Sequence, residues 1–165
     1  MGVIRKRIVV EDKLDEIFGY LPEMLNDNKD KFSPIFSHGD RKELTAFLED
    51  YKLNDSHPYP LIWLLYPYEE KHTKTEVHID RLELILAVDT NINLSNNQRI
   101  DSIYKKILLK LADNVIEAFR LANNVNLTEE VYITKFPNFS DFESSGDENF
   151  TLDRWDALKM GFKMR

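Results

Sequence analysis

The fold is decided by the stretch Leu61-Ile62-Trp63-Leu64-Leu65-Tyr66, which is apolar at every position. The segment before it, His57-Pro58-Tyr59-Pro60, cannot be helical, because a residue that precedes proline is pushed toward extended geometry. The apolar run is too short for a typical buried helix and too evenly apolar for a half-exposed strand. We therefore expect a strand that is covered on both faces.

A longer strand is predicted at residues 77–90. Its alternating pattern puts Leu82, Leu84, Leu86 and Val88 on one face and Glu83, Ile85, Ala87 and Asp89 on the other. We expect the two strands to pair as a long antiparallel hairpin. The connection at residues 67–76 contains no glycine for a two-residue turn, so it is predicted to be a longer, charged loop that projects from the sheet.

The most regular element is an amphipathic helix that begins after Ser95 and stops at Asn123-Asn124. Ser95 and Gln98 have the spacing of a capping box. The apolar stripe that follows over about six turns consists of Ile100, Ile103, Tyr104, Ile107, Leu108, Leu111, Val115, Ala118, Phe119 and Ala122. This pattern predicts a helix that packs across one face of the sheet.

Two further strands complete the core. Residues 131–136 are rich in β-branched and aromatic side chains, and we expect Pro137 to end that strand. Residues 154–164 alternate again, with Leu158, Met160, Phe162 and Met164 facing one way. The element order predicts an α+β fold with a ββαββ core: an antiparallel four-stranded sheet with the long helix on one face.

The N-terminal part is predicted to add helices. A short extended arm leads into a helix whose first turn carries Glu11 and Asp12; Pro22 should kink this helix or split it in two, and it should end near residues 26–28. Asp40 and Glu43 form a second possible capping box, ahead of another short amphipathic helix. The sheet has more apolar residues than one helix can cover. Either these N-terminal helices or another subunit should therefore cover its second face.

Composition limits the possible classes of protein. A chain of 165 residues, 42% of them apolar, suits a single domain over residues 1–165, with an arm and helices at 1–57 and the core at 58–165. Its 22 Lys and Arg against 29 Asp and Glu give a net charge of −7, which disfavours general nucleic-acid binding. Without cysteine there is no disulfide or thiolate chemistry. With neither a membrane-length apolar run nor a signal-peptide pattern, we expect a soluble protein without membrane contact.

Histidines and acids offer only a weak metal candidate. His72 and His78, with Glu76 and Asp80 nearby, could supply ligands. Histidines on a charged loop are more often simply solvated. We therefore expect neither a metal nor another cofactor.

Catalytic patterns are similarly weak. Ser37-His38-Gly39-Asp40 is better interpreted as a turn, since neighbours in sequence cannot adopt triad geometry. Asp89, Asp156 and Lys159 could serve a metal-dependent nuclease, although such residues are common on the strands of a charged protein. We expect no catalytic residues.

Aromatic residues in predicted loops are more informative. Tyr68, Phe139, Phe142 and Phe150 lie among acids, where an aromatic anchor with a polar rim is typical of a protein interface. Local loop packing explains them equally well.

Four stretches of the core follow the order strand, return strand, helix, closing strand. They are Tyr59-Pro60-Leu61-Ile62-Trp63-Leu64, Leu82-Glu83-Leu84-Ile85-Leu86-Ala87-Val88-Asp89-Thr90, Asn97-Gln98-Arg99 leading into Tyr104-Lys105-Lys106-Ile107-Leu108, and Trp155-Asp156-Ala157-Leu158-Lys159-Met160. In this pattern residues 58–164 resemble small virion proteins of tailed bacteriophages that act as tail terminators, tail-completion proteins or head–tail connector (neck) proteins. The abundance of Asn, Asp, Ile and Lys is similar to that of AT-rich genomes such as those of crAss-like phages of gut Bacteroidetes.

The resemblance implies a non-enzymatic structural protein. Its subunits would form an oligomeric ring at the head–tail junction of the virion, assembled in the host cytoplasm. The portal and other connector and tail proteins would be its neighbours, and DNA would pass through the channel without specific binding.

Three candidate interfaces follow from that implication. The hairpin interface comprises Tyr66, Tyr68, Glu69, Glu70, Lys71, His72 and Lys74. The acidic-loop interface comprises Phe139, Asp141, Phe142, Glu143, Asp147, Glu148 and Phe150. The N-terminal arm contributes Arg5, Lys6 and Arg7, a basic cluster that is equally typical of an exposed segment protecting a sheet edge.

Two other classes of function stay open. One is a small metal-dependent nuclease that uses Asp89 and Asp156. The other is a monomeric adaptor or assembly chaperone that binds a partner through the hairpin.

Overall fold

The computed structural model describes residues 8–25, 31–53, 60–89, 93–127, 130–139 and 155–165. Its helices are α1 (Val10–Phe18), α2 (Arg41–Leu53) and α3, which runs without a break through Asn96–Arg99, Ile100–Leu108 and Leu109–Leu121. Its strands are β1 (Met24–Leu25), β2 (Lys31–Phe32), β3 (Ile35–Gly39), β4 (Leu61–Leu65), β5 (Glu70–His72), β6 (Val77–Asp89), β7 (Tyr132–Phe139) and β8 (Trp155–Met164). None of the described helices is long and apolar enough to cross a bilayer.

The main sheet is mixed and has six strands in the described part of the chain. Its order is β3-β4-β6-β8-β7, and β5 pairs with the first residues of β6. The four predicted strands β4, β6, β7 and β8 are adjacent and antiparallel, with Leu86 opposite both Ile62 and Leu158. The predicted four-stranded antiparallel sheet is nevertheless wrong in its extent, because β3 adds a parallel edge beside β4 and β5 adds a short sixth strand.

Apolar side chains cover both faces of this sheet. On one face α1 and α3 pack over inward residues such as Leu84, Leu86 and Leu158. On the other face α2 brings Leu44 against a smaller cluster around Trp63. Of the two N-terminal helices, α2 alone thus covers the apolar part of the second face, so the first of the two predicted solutions holds in part.

The N-terminal helix is shorter than predicted. It ends at Phe18, and the chain beyond Pro22 forms the ribbon of β1 with β2 instead of more helix. A proline lacks the backbone donor that a continuing helix needs, and the predicted helix beyond Pro22, whether kinked or split in two, is wrong because Met24–Leu25 form a strand. The capping box of α2 is confirmed: Glu43 N donates to Asp40 Oδ1 at 2.9 Å, and Asp40 N donates to Glu43 Oε2 at 2.7 Å.

The long helix α3 is confirmed, with an unpredicted winding. Its capping box is formed, since Gln98 N donates to Ser95 Oγ at 3.4 Å and Ser95 N donates to Gln98 Oε1 at 2.9 Å. Residues Ile100–Leu108 are π-helical, so residues five apart share a face. Arg99 is consequently 2% exposed and Ile100 is 40% exposed, the reverse of the predicted stripe.

Two predicted connections also differ from the structure. Strand β7 does not end at Pro137 but continues to Phe139, with a register shift after Phe136. An edge strand tolerates proline because a backbone donor on its open side is not needed for pairing. The predicted projecting loop between β4 and β6 folds back, so that His72 lies opposite Val77 in a small charged hairpin.

Candidate functional site

Two tyrosines of the hairpin interface point inward. The Tyr66 hydroxyl donates to Glu11 Oε1 at 2.5 Å, and the Tyr68 hydroxyl donates to the same oxygen at 2.5 Å. Glu11 lies in the first turn of α1, where a carboxylate suits the positive end of the helix dipole. These hydrogen bonds tie the β4–β5 connection to α1.

His38 of β3 extends this cluster. Its Nδ1 lies 2.9 Å from the Tyr66 hydroxyl oxygen. Because that hydroxyl donates its one proton to Glu11, its oxygen can accept a hydrogen bond from Nδ1 in the tautomer that carries a proton there. The predicted turn at Ser37-His38-Gly39-Asp40 is wrong. Ser37, His38 and Gly39 are the last three residues of strand β3, and Asp40 caps α2.

The hydrogen bonds that Glu11 shares with the two tyrosines shift the pKa values of Glu11, Tyr66 and Tyr68. Partial burial raises the pKa of Glu11, but the hydroxyls of Tyr66 and Tyr68 outweigh that effect and hold it below its ordinary value. Burial and the neighbouring Glu11 raise the pKa of both tyrosines. Both phenols thus stay protonated at neutral pH and act as hydrogen-bond donors.

The other side chains of the hairpin interface face solvent, except that Glu70 is half-buried. Lys71 forms an ion pair with Asp80, and His72 Nε2 lies 2.7 Å from Glu70 Oε2. Glu69 and Lys74 are exposed. The hairpin therefore presents mixed charge outward while its two tyrosines hold its base.

The weak metal candidates do not converge. His72 contacts Glu70, whereas His78 Nε2 lies 3.1 Å from Glu76 Oε2. Among the described residues no group of three or more possible ligands could hold a metal ion.

Asp156 is the most buried charged residue in the described chain. It is 0% exposed, and its Oδ1 lies 2.8 Å from Arg99 Nη1. The Tyr104 hydroxyl donates to the carbonyl of Ala157 at 3.3 Å, next to this pair. Burial, with the nearby Asp156 charge, raises the pKa of Tyr104.

This geometry gives no support to the nuclease arrangement. Asp156 and Lys159 are an odd number of residues apart on β8, so their side chains project from opposite faces of the sheet. Lys159 Nζ instead lies 3.5 Å from Glu83 Oε1. Only the backbone of Asp89 is described, opposite Trp155.

A charged groove lies on the second sheet face beyond the reach of α2. Its cavity measures about 870 Å³. Among the residues that line it are Arg81, Tyr132, Lys159, Gly161, Lys163 and Arg165. We call this surface the basic groove. Sequence analysis missed it, although Lys159, Gly161 and Lys163 alternate visibly on one face of β8.

Strand β7 is an open edge of the main sheet in the described part of the chain, pairing there with β8 alone. It also carries exposed apolar side chains, because Tyr132 is 66% and Ile133 is 41% exposed. An open edge strand presents unpaired backbone groups to which another strand can add.

The other predicted interface residues fall outside the described residues, and their predictions stand untested. They are Arg5, Lys6, Arg7, Asp141, Phe142, Glu143, Asp147, Glu148 and Phe150. Only the backbone of Phe139 is described, at the end of β7.

Comparison with protein-family models and with curated proteins finds no match to this chain.

Proposed function

We propose that this chain is a structural subunit that associates head to tail into a ring at the head–tail junction of a tailed phage. The observation that carries the proposal is the open, partly apolar edge strand β7. The resemblance of residues 58–164 to connector and tail-terminator proteins supplies the biological setting.

The two edges of the sheet favour a ring over a two-fold dimer. One edge is β7, eight residues long, and the other is β3, five residues long and parallel to its neighbour. Contact between two unlike surfaces is heterologous, and repeated heterologous contacts close into rings when the rotation allows. Contact of β7 with a second β7 would instead give a closed dimer.

The charge of the chain suits a DNA passage in such a ring. A net charge of −7 makes the average surface unattractive to phosphate. DNA could then slide through the channel without specific binding, while portal and tail proteins contact the two rims. The virion would be the site of action.

The test is the oligomeric state of the purified chain. We expect mass photometry and negative-stain microscopy to show rings, and Ile133→Lys to convert them to monomers because the added charge would be desolvated at the edge contact. Leu121→Lys is the matched control, since Leu121 is 74% exposed and belongs to α3 and not to β7. A wild-type chain that is a monomer or a dimer at high concentration would contradict the ring and favour the adaptor class.

A further inference from the structure

Two cations of the basic groove, Lys163 and Arg165, form no close ion pair with a described acid, although the charge of Lys163 contributes to the lowered pKa of Asp80. Two of the three lining acids are paired with cations, Asp80 with Lys71 and Glu83 with Arg81 and Lys159. The Glu130 carboxylate accepts from the Tyr132 hydroxyl at 2.7 Å and keeps its negative charge. Lys163 and Arg165 line the same groove, are exposed, and form no ion pair with another described residue. The lining has four cations against three acids, so the groove keeps a small excess of positive charge for an incoming anionic group.

The floor of the groove also leaves room for an apolar side chain. Gly161 has no side chain, and a Cβ placed there would meet only Tyr132 Cβ, at 3.9 Å. Tyr132 itself stands 66% exposed at the wall. A segment that combines acids with aromatic rings fits this arrangement better than a purely charged one.

One segment of the chain has that composition. Residues 141–153 contain the acids Asp141, Glu143, Asp147, Glu148 and Asp153, the aromatic residues Phe142 and Phe150, and no Lys or Arg. We propose that the basic groove binds the acidic segment, residues 141–153, of a second copy of this chain. This inference rests on the proposed head-to-tail assembly and names the charged contact within it.

Chain length favours a second copy over the segment's own groove. The segment leaves the sheet at Phe139 and returns at Trp155, the end of β8 that is remote from Lys163. Lys163 lies roughly 26 Å along β8 from Trp155. The middle of the segment can extend at most roughly 27 Å from either attachment point. Only its fully stretched tip would reach Lys163 of its own chain, whereas a neighbour's segment can lie along the whole groove.

A charge-swap mixing experiment tests the contact between copies. Lys163→Glu with Arg165→Glu reverses the groove, and Asp147→Lys with Glu148→Lys reverses the segment in a separate chain. Each reversed chain alone should associate at least about tenfold more weakly than wild type. An equimolar mixture of the two should regain association, because each segment then meets a groove of opposite charge. Lys110→Glu, an exposed change on α3, is the matched control and should leave association unchanged.

A peptide experiment gives a second, independent readout. A fluorescent peptide of residues 140–154 should bind the full-length Ile133→Lys chain with its own segment neutralised, and Lys163→Glu should weaken that binding about tenfold. Added salt should weaken it further. Ile133 is suited to this background because it lies on the face of β7 opposite the groove residue Tyr132.

The outcomes separate the two proposals. Rings that form normally with the reversed groove, or a peptide that does not bind, would overturn the groove inference and leave the ring intact. Rescue only when both reversals are in one chain would place the segment in its own groove and also overturn it. A wild type that forms only dimers and still binds the peptide would overturn the ring and support the groove, whereas a monomeric wild type would overturn both.

Discussion

Arg99 Nη1 and Asp156 Oδ1 lie 2.8 Å apart, with the two side chains 3% and 0% exposed. Arg99 belongs to the first turn of α3 and Asp156 to the second residue of β8. Arg99 Nε also donates to the carbonyl of Leu94 at 3.2 Å. The pair fixes the start of the long helix to the sheet at one point.

Removing one partner of this pair should be strongly destabilising. Asp156→Leu or Arg99→Met leaves a buried charge without compensation, which costs about 3–5 kcal/mol of unfolding free energy. The double variant removes both charges and should recover most of that loss. Urea unfolding of the four proteins measures the effect, and single variants that lose less than about 1 kcal/mol would show that the pair behaves as a surface ion pair.

Glu11 should make stability pH-dependent on the acid side. Its folded pKa is lowered, so the stability that it contributes is present above its ordinary pKa of about 4.3 and is lost as pH falls through the lower folded value. Glu11→Gln should cost about 1–2 kcal/mol at pH 7, and the difference from wild type should shrink below about pH 4.

Thermal or urea unfolding across pH checks this expectation. Glu117→Gln is the control, because Glu117 forms only an exposed pair with Arg120 on α3. If Glu11→Gln lowers the unfolding free energy by the same amount at pH 3 and pH 7, the ionised carboxylate is not the cause of the loss.

Gly39 should not tolerate a side chain. Its φ is +153°, and an added Cβ would lie 2.4 Å from Glu43 Oε2 and 3.0 Å from Trp63 Cζ2. Its carbonyl also accepts hydrogen bonds from Trp63 Nε1 at 3.1 Å and from Tyr66 N at 2.9 Å. We expect Gly39→Ala to cost about 2 kcal/mol or more.

Calorimetry of Gly39→Ala beside Gly19→Ala measures this difference. Gly19 has φ −62° at the end of α1, where alanine fits and should be neutral or stabilising. Equal melting temperatures for the two variants would show that the close approach at Gly39 is relieved by movement of Glu43.

The charged tip of the hairpin can now be separated from its base. Replacing Glu69, Lys71, His72 and Lys74 with Ser should change the unfolding free energy by less than about 1 kcal/mol, because these side chains are solvent-facing. If the hairpin clamps a neighbouring subunit, this variant should still fold but fail to assemble into rings. Normal ring formation by mass photometry would remove the tip from the interface.

Sequence patterns predicted the elements whose stability is local or strongly periodic. Strand β4, strand β6, helix α3 and both capping boxes follow from apolar spacing or from side-chain caps a few residues apart. Strand β3 was missed because its Ser37 and His38 are polar and half-buried or exposed, so its pattern is that of a loop. It becomes a strand through parallel pairing with β4, a contact between distant residues that no local pattern reports.

The candidate sites show the same limit. Tyr66 and Tyr68 were predicted to face a neighbouring subunit. Their partner Glu11 lies more than fifty residues away in the sequence, and no local pattern indicates that contact. The basic groove likewise combines β6, β7, β8 and the segment around Asn126. The alternation of Lys159 with Lys163 was visible in sequence, but the surface that it faces depends on the strand order.

The π-helical winding of Ile100–Leu108 means that α3 uses more residues per turn there than an ordinary helix of the same length would. A chain shortened by one residue within that segment could wind as a regular α-helix and still span the sheet. It would, however, rotate Arg99 out of line with Tyr104 and away from Asp156. The π-helical winding therefore places Arg99 where it neutralises a carboxylate beneath the helix, and a length change of one residue would act there as a charge mutation.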